Sequence, residues 1–433
     1  MKKKYSIIAA CIFLGLSAQS FAQLSTLCGN QRFHDYVFPT IPTPISDVIY
    51  GSNIKMDSTT QVLKLDVYQP VGDVSTNRPL VIIAHGGSFL YNTKTGPDVV
   101  PLAQDLARLG YVTASMEYRL GMTGFPLGVD STDAGAAVMR GVQDGRAAVR
   151  FFRKNARQGG NTYGIDTNNI FFAGVSAGGF IALHIAYMDH ENEFPAYVDT
   201  IAQLGLHGGV EGLSGNQGYS SKVKAIVNIC GALGDTLWMH NGDTPLLSFH
   251  GTADGTVPYG YAEITLANVF PLLKVYGSST VAMRANHQGI PNCMETWFGQ
   301  GHVPETDTTA AGHRYYDSTI TITRTFLEQF TCGTVNNCSY TMTPMLGIDE
   351  SVINADYTVY PNPTNTQATV DLSSFAGKAM NIELYDALGR KVVNVENFKG
   401  DKYNLQRNNL PAGMYYLSLI IDGKKFSKKV IFQ

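Results

Sequence analysis

Chemistry can be read first at Gly174-Val175-Ser176-Ala177-Gly178. A serine hydroxyl is a weak nucleophile near neutral pH. It needs a base in hydrogen-bond reach and an acid to orient that base. The apolar run 169–173 before Ser176 reads as a buried strand, and 179–183 after it opens a helical pattern. A sharp strand-to-helix turn would strain Ser176 and expose its Oγ, and the flanking glycines would leave room for that turn. The helix N-terminus would favour the negative charge that develops during attack. Asp254 lies just beyond the apolar run 245–249, in the kind of strand-exit loop where parallel sheets collect reactive groups. Asp235 and Asp243 are competing carboxylates. His302, in Gly299-Gln300-Gly301-His302, follows the strand-like run 293–297 and is the candidate base. Its rivals are His287, which precedes that run, and His313, which opens a helical pattern (313–330) and should face solvent. Oxyanion donors are expected from the backbone N–H groups of Gly87, Ser88 and Ala177, because His85-Gly86-Gly87-Ser88-Phe89 leaves the strand 79–84. His85 and His250 are read as structural, His250 packing the acid loop.

These groups need a scaffold that brings strand exits together. From about residue 47 to 330, apolar β-type runs (79–84, 111–116, 169–173, 223–229, 245–249) alternate with helical stretches (99–109, 144–155, 179–188). Such alternation implies a mostly parallel sheet covered by helices. Residues 79–84 are continuously apolar, as a strand buried on both faces should be. After Cys338 the character changes. Residues 339–356 have no period and read as a linker. From 357 to 433, short alternating strands (369–372, 381–385, 415–420, 429–432), with Asp422-Gly423 as a hairpin turn, predict a small all-β sandwich.

Lys2, Lys3 and Lys4, the apolar run 7–16 and Ser20-Phe21-Ala22 form a secretory signal peptide with cleavage expected after Ala22. Cys11 lies too far inside that run for a lipoprotein box. The expected organisation is therefore 1–22 signal, 23–338 catalytic domain, 339–356 linker and 357–433 C-terminal domain. The net formal charge of −3 gives no reason to expect nucleic acid, and no other stretch is long and apolar enough for a transmembrane helix. Export permits disulfides among Cys28, Cys230, Cys293, Cys332 and Cys338, with one thiol left over. A local Cys332–Cys338 clip and a Cys230–Cys293 pair are the expectations. No cofactor or metal site is expected: Asp130 and Asp133 read as a solvated turn. Asp144, Arg146 and Arg150 read as an ion-paired helix rather than a substrate site. Residues 122–133 and 189–219 could wall a substrate pocket. Trp238, Met239 and Tyr259 could contact an acyl group or simply pack.

The order of motifs carries a resemblance. Leu65-Asp66-Val67-Tyr68-Gln69-Pro70, His85-Gly86-Gly87, Glu117-Tyr118-Arg119-Leu120, the glycine-flanked Ser176 and His250-Gly251-x-x-Asp254-x-x-Val257-Pro258 resemble the carboxylesterase/lipase branch of the α/β-hydrolase superfamily. That resemblance implies the chain order Ser176, Asp254, His302 for a triad, with Ser88 standing where the related oxyanion loop has a third glycine. Tyr360-Pro361-Asn362-Pro363, Leu384-Tyr385-Asp386-Ala387-Leu388-Gly389-Arg390 and Leu410-Pro411-Ala412-Gly413-Met414-Tyr415 resemble the sorting domain of type IX secretion cargo. This implies passage through the periplasm and outer membrane by a secretion machinery, to a secreted or cell-surface location. The expected activity is hydrolysis of carboxylic esters through an acyl-enzyme, on carbohydrate-linked acetyl or feruloyl groups or on small esters. A polyester depolymerase or lipase, a serine peptidase of the same fold and a non-catalytic module are the alternatives.

Overall fold

The computed structural model describes residues 27–29, 31–125, 128–195, 197–198, 203–266, 270–333, 357–386, 391–421 and 424–433. The signal segment, Cys11, the linker 339–356, Cys338, Ala387 to Arg390 and the Asp422-Gly423 turn lie outside them. The chain divides into two compact units, before and after the Tyr340/Thr341 junction.

The first unit is built on an eight-stranded sheet. Its strands are β1 (Ile45–Ile54), β2 (Thr60–Tyr68), β3 (Arg78–Ala84), β4 (Val112–Met116), β5 (Ile165–Val175), β6 (Ile226–Ile229), β8 (Leu246–Gly251) and β11 (Asn292–Trp297), in the order β1-β2-β4-β3-β5-β6-β8-β11. The β1–β2 and β2–β4 pairs are antiparallel, and all later pairs are parallel. Every residue of β3 is buried, as its unbroken apolar run requires. Strand alternation splits its side chains between two cores. Leu80, Ile82 and Ala84 pack with helices α2 (Ser131–Gln158) and α3 (Ala177–Tyr187). Val81 and Ile83 pack with α1 (Val100–Arg108) and α5 (Ala310–Cys332). The unit is therefore a helix–sheet–helix sandwich with the parallel strand exits along one edge.

Two elements exceed the sequence reading. Helix α2 spans 28 residues, far beyond 144–155. Gly135 and Gly141 hid its first half, yet such glycines let α3 approach: a Cβ on Gly141 would come within 2.9 Å of Ile181 Cδ1. Asp130, expected in a solvated turn, caps this helix by accepting from Thr132 and Asp133 N–H, with Asp133 closing a capping box. The second addition is an antiparallel sheet of β7 (Ala232–Leu233), β10 (Phe270–Gly277) and β9 (Tyr261–Leu266), inserted before helix α4 (Ser278–Gln288).

Cys28 and Cys332 form a disulfide, so the expected Cys332–Cys338 clip is wrong. Cys230 is a buried free thiol and Cys293 is disulfide-bonded, which also removes the Cys230–Cys293 pair. Sequence proximity misled because the N-terminal segment returns to the end of α5, a closure of 304 residues that tertiary packing alone sets.

The second unit holds a three-stranded sheet, β12 (Thr358–Tyr360), β13 (Gln367–Asp371) and β16 (Lys402–Gln406), and a four-stranded sheet of β15 (Lys391–Phe398), β14 (Met380–Asp386), β17 (Gly413–Ile421) and β18 (Lys424–Phe432). All pairs within them are antiparallel. Val370 and Leu405 from one sheet share a core with Ile382, Leu384, Leu417 and Leu419 from the other, which makes it a β-sandwich. No helix among the described residues is long and apolar enough to cross a membrane.

Candidate active site

Ser176 is the single residue between β5 and α3, with φ 54° and ψ −113°. A non-glycine residue in so sparse a region costs on the order of 1–3 kcal/mol, so the surroundings must impose it. Ser176 N–H donates to Ile229 O at 2.7 Å, and Phe180 N–H donates to Ser176 O at 3.1 Å. The flanking glycines are required by contact. A Cβ on Gly174 would lie 1.9 Å from Gly178 O, and one on Gly178 would lie 2.0 Å from Ala84 O.

Parallel pairing of β8 with β11 sets the loops that leave them side by side. Thr252 N–H donates to Trp297 O (3.1 Å) and Ala253 N–H to Gln300 O (2.9 Å), zipping the two loops together. The result is one continuous chain of hydrogen bonds. His302 Nε2 is 2.8 Å from Ser176 Oγ, and His302 Nδ1 is 2.6 Å from Asp254 Oδ2. Asp254 Oδ1 accepts from Thr256 and Val257 N–H at 2.8 and 2.9 Å. His250 Nε2, 3.2 Å from Asp254 Oδ2 and 3.1 Å from Val257 O, is the remaining donor. Burial pushes the Asp254 carboxyl up, but hydrogen bonds from His250, His302 and Val257 outweigh it and hold it well below the usual carboxylate range. It therefore stays charged beside His302.

His250 does more than pack. With its proton on Nε2, its Nδ1 accepts from Ser278 Oγ at 2.7 Å, and Asn228 Nδ2 donates to the same Oγ at 2.9 Å. A buried polar relay thus stands behind Asp254. Asn228 and Ser278 belong to no motif; they meet only because β6, β8 and α4 pack together.

In the loop that leaves β3, residues 87–89 all have positive φ: Gly87 110°, Ser88 54° and Phe89 60°. Among the described residues, the N–H groups of Gly87, Ser88 and Ala177 have no acceptor. A Cβ on Gly86 would sit 3.2 Å from Ser176 Cβ, so the loop lies directly against the serine. Asp98, which the sequence did not mark, fixes it: Gly86 N–H donates to Oδ2 at 2.6 Å and Asn92 Nδ2 to Oδ1 at 3.0 Å. His85 stacks on Tyr118 at 4.4 Å, and Tyr118 Oη donates to His85 O at 2.9 Å. Burial lowers the His85 pKa and keeps the ring neutral, in keeping with a structural part.

The rivals lie elsewhere. Asp235 caps a short turn by accepting from Leu237 N–H, and Asp243 accepts from His240 N–H. His287 and His313 are exposed on helices. Arg119 is buried against Asp144 at 2.9 Å, and Glu211 pairs with Arg146 and Arg150 at 2.8 and 2.5 Å. Arg146 and Arg150 also line a cavity of about 720 Å³. That cavity touches Ile185 and Ala186, at the far end of the helix that begins beside Ser176. Met239 is buried, Trp238 packs its ring on His184, and Tyr259 Oη bonds Thr296 Oγ1 at 2.9 Å. Ligand atoms of Cys230, Asp254 and His302 lie within 4.8 Å of one another. A separation of 2.6 Å between His302 Nδ1 and Asp254 Oδ2 fits a shared proton; two ligands each about 2.0–2.2 Å from an interposed ion would stand further apart.

The mostly parallel sheet covered by helices and the strained serine at a strand-to-helix turn are those of the α/β-hydrolase fold. Residues 65–240 match the BD-FAE family, and residues 358–433 match the secretion system C-terminal sorting domain; the chain is an α/β-hydrolase carrying both domains. The sorting domain marks it for type IX secretion to the cell surface or extracellular space. The chain is 28% identical over 141 residues to Esterase-5A of Drosophila persimilis, covering 33% of this chain and 24% of that protein. It is 33% identical over 120 residues to Carboxylesterase 3B of Mus musculus, covering 28% and 19%. It thus spans about a quarter of the length of such relatives. Among solved structures, Thermogutta terrifontis esterase 2 phosphoramylated by tabun is similar, with TM-score 0.49 and 19% identity, covering 68% of this chain and 97% of that one. The butyrate-bound form of the same esterase gives 0.47 and 19%, covering 67% and 95%.

Proposed function

We propose that this chain is an exported serine hydrolase of carboxylic esters that works through an acyl-enzyme, with Ser176, His302 and Asp254 as its triad. The observation that carries this reading is the unbroken Ser176–His302–Asp254 contact, 2.8 and 2.6 Å, beside N–H groups that have no acceptor among the described residues. Ser176 Oγ attacks the ester carbonyl as His302 Nε2 takes its proton. The carbonyl oxygen becomes an oxyanion against the N–H groups of Gly87, Ser88 and Ala177. Asp254 keeps the other His302 proton on Nδ1 and stabilises the imidazolium. His302 then protonates the leaving alcohol. In the second half-reaction it takes a proton from water, which attacks the acyl carbon; as the bond from that carbon to Ser176 Oγ breaks, His302 returns the proton to Oγ and the acid leaves. A positioned base contributes about 10²–10⁴-fold, and each oxyanion donor about 10²–10³-fold.

The substrates we assign are acetyl or feruloyl esters on carbohydrate, or small carboxylic esters, because the match is to an esterase family and the sorting domain sends the chain outside the cell. We further assign residues 1–22 to a cleaved signal peptide, 23–338 to the catalytic domain, 339–356 to a linker and 357–433 to the domain that the secretion machinery reads. The test is a panel of acetyl, feruloyl and longer acyl esters with a chromogenic peptide, run on the wild type and Ser176→Ala. Ester hydrolysis that disappears in the variant supports the reading. Peptide cleavage without ester cleavage, or ester hydrolysis that persists in the variant, overturns it.

A further inference from the structure

Glu305 lies three residues beyond His302, in the short 3-10 turn Pro304–Thr306. Its side chain is only 8% exposed, and among the described residues no other residue donates to either carboxyl oxygen; the nearby donor is its own backbone N–H. A buried carboxylate with so little solvation is strongly disfavoured and takes up a proton instead. The surroundings reinforce this. Asp98, which holds the oxyanion loop through Gly86, and Asp254, which orients His302, both act on Glu305 through their negative charge. Glu305 in turn acts on the buried Cys230 thiol at the β6 exit. Helix α5, packed on the same turn, carries His313, Arg314 and Tyr315 near its start, and none of them bonds either Glu305 oxygen. Glu305 is thus a carboxyl with no cation bonded to it, set among the groups that fix the two halves of the site.

We propose that Glu305 is a positioning residue for the ester hydrolysis assigned above, carried as the neutral acid beside the oxyanion-loop anchor and the triad acid, so that loss of its proton switches the site off on the alkaline side. The inference rests on the Ser176–His302–Asp254 reading. Ionised Glu305 would add a third negative charge beside Asp98 and Asp254. Repulsion would move those carboxylates, and with them Gly86 and the His302 ring. The buried anion would also seek donors that now serve the site. Burial pushes the Glu305 carboxyl up; its own backbone N–H opposes this in part, and Asp98 and Asp254 add to the rise, to about 8. Burial raises both Cys230, which Glu305 acts on, and Tyr118, which bonds the oxyanion loop, well above their ordinary values, so neither titrates in that range.

The experiment is a pH profile of kcat/KM on an acetate ester for the wild type, Glu305→Gln and Ser176→Ala. With a midpoint near 8, wild-type kcat/KM falls about 30-fold between pH 7 and pH 9.5, because only the protonated enzyme turns over. Glu305→Gln keeps the neutral shape and cannot ionise, so its ratio between the two pH values stays within about twofold. Should the Gln variant fail to fold, Glu305→Met, also unable to ionise, takes its place. A role confined to packing would leave the alkaline limb in place. An identical alkaline fall in either variant, or a wild type with no fall up to pH 9.5, overturns the inference. Activity in Ser176→Ala would instead overturn the triad reading beneath it.

Discussion

Replacing Asp98 by alanine probes the oxyanion loop without touching any group assigned to the chemistry. The change deletes the acceptor of Gly86 N–H (2.6 Å) and of Asn92 Nδ2 (3.0 Å). A hydrogen bond to a charged group contributes about 1.5–3 kcal/mol, and because Asp98 is partly exposed the lower half of that range applies. Gly86 directly precedes the expected donors and abuts Ser176, so relaxation there displaces the Gly87 and Ser88 amides. Complete loss of one donor costs about 10²–10³-fold; displacement of two puts the expected fall in kcat at about 10- to 100-fold, or about 1.4–2.7 kcal/mol. KM should move less than about threefold, because these donors meet charge that exists only in the transition state. Asp98→Asn keeps one carbonyl acceptor and should recover part of the loss. The assay is steady-state hydrolysis of a chromogenic acetate at pH 7, with melting temperature and circular dichroism as fold controls. Wild-type kcat in folded Asp98→Ala, or an effect confined to KM, would refute the assignment of the oxyanion loop.

Asp254→Asn should lower kcat about 10⁴-fold by presenting the wrong partner to His302 Nδ1 while the protein still folds. Because the folded Asp254 carboxyl lies below its unfolded value, its contribution to stability is present above pH ~4 and lost as pH falls through the folded pKa. The melting-temperature gap between wild type and Asp254→Asn should therefore narrow on acidification below about pH 4; a gap that widens would contradict the sign. Gly178→Ala drives a methyl group to 2.0 Å from Ala84 O and should destabilise the elbow by about 1–3 kcal/mol or more while abolishing activity; an active variant with an unchanged melting temperature would contradict the turn geometry. Replacing Cys28 and Cys332 together by serine should cost about 2–4 kcal/mol, read in a denaturant titration, and leave kcat unchanged at 25 °C.

The parts of the molecule visible in the sequence are those whose physics is local. Ser176 was marked by flanking glycines whose missing Cβ atoms prevent backbone collisions, and β3 by a run of residues buried on both faces. Asp254 and His302 were placed by their strands, and the structure brings them together with Ser176, whereas Asp235, Asp243, His287 and His313 fall elsewhere. What stayed hidden depends on contacts between distant segments. Asp98 looks like any loop aspartate until Gly86 comes within 2.6 Å, and Glu305 looks solvated until the turn carrying it is buried. The sequence marks helix α2 too short because helical propensity penalises Gly135 and Gly141, which close packing rewards. The cysteine pairing failed for the same reason: nearness in sequence outweighed a closure that only the fold could supply.

The central claim is that Ser176 is the nucleophile, activated by His302. A fluorophosphonate probe bonds covalently to such a serine, so peptide mapping after labelling tests it most directly. One label per chain is expected, on the peptide holding Ser176, lost in Ser176→Ala and strongly slowed in His302→Ala. A label on another residue, or undiminished labelling of Ser176→Ala, would contradict it.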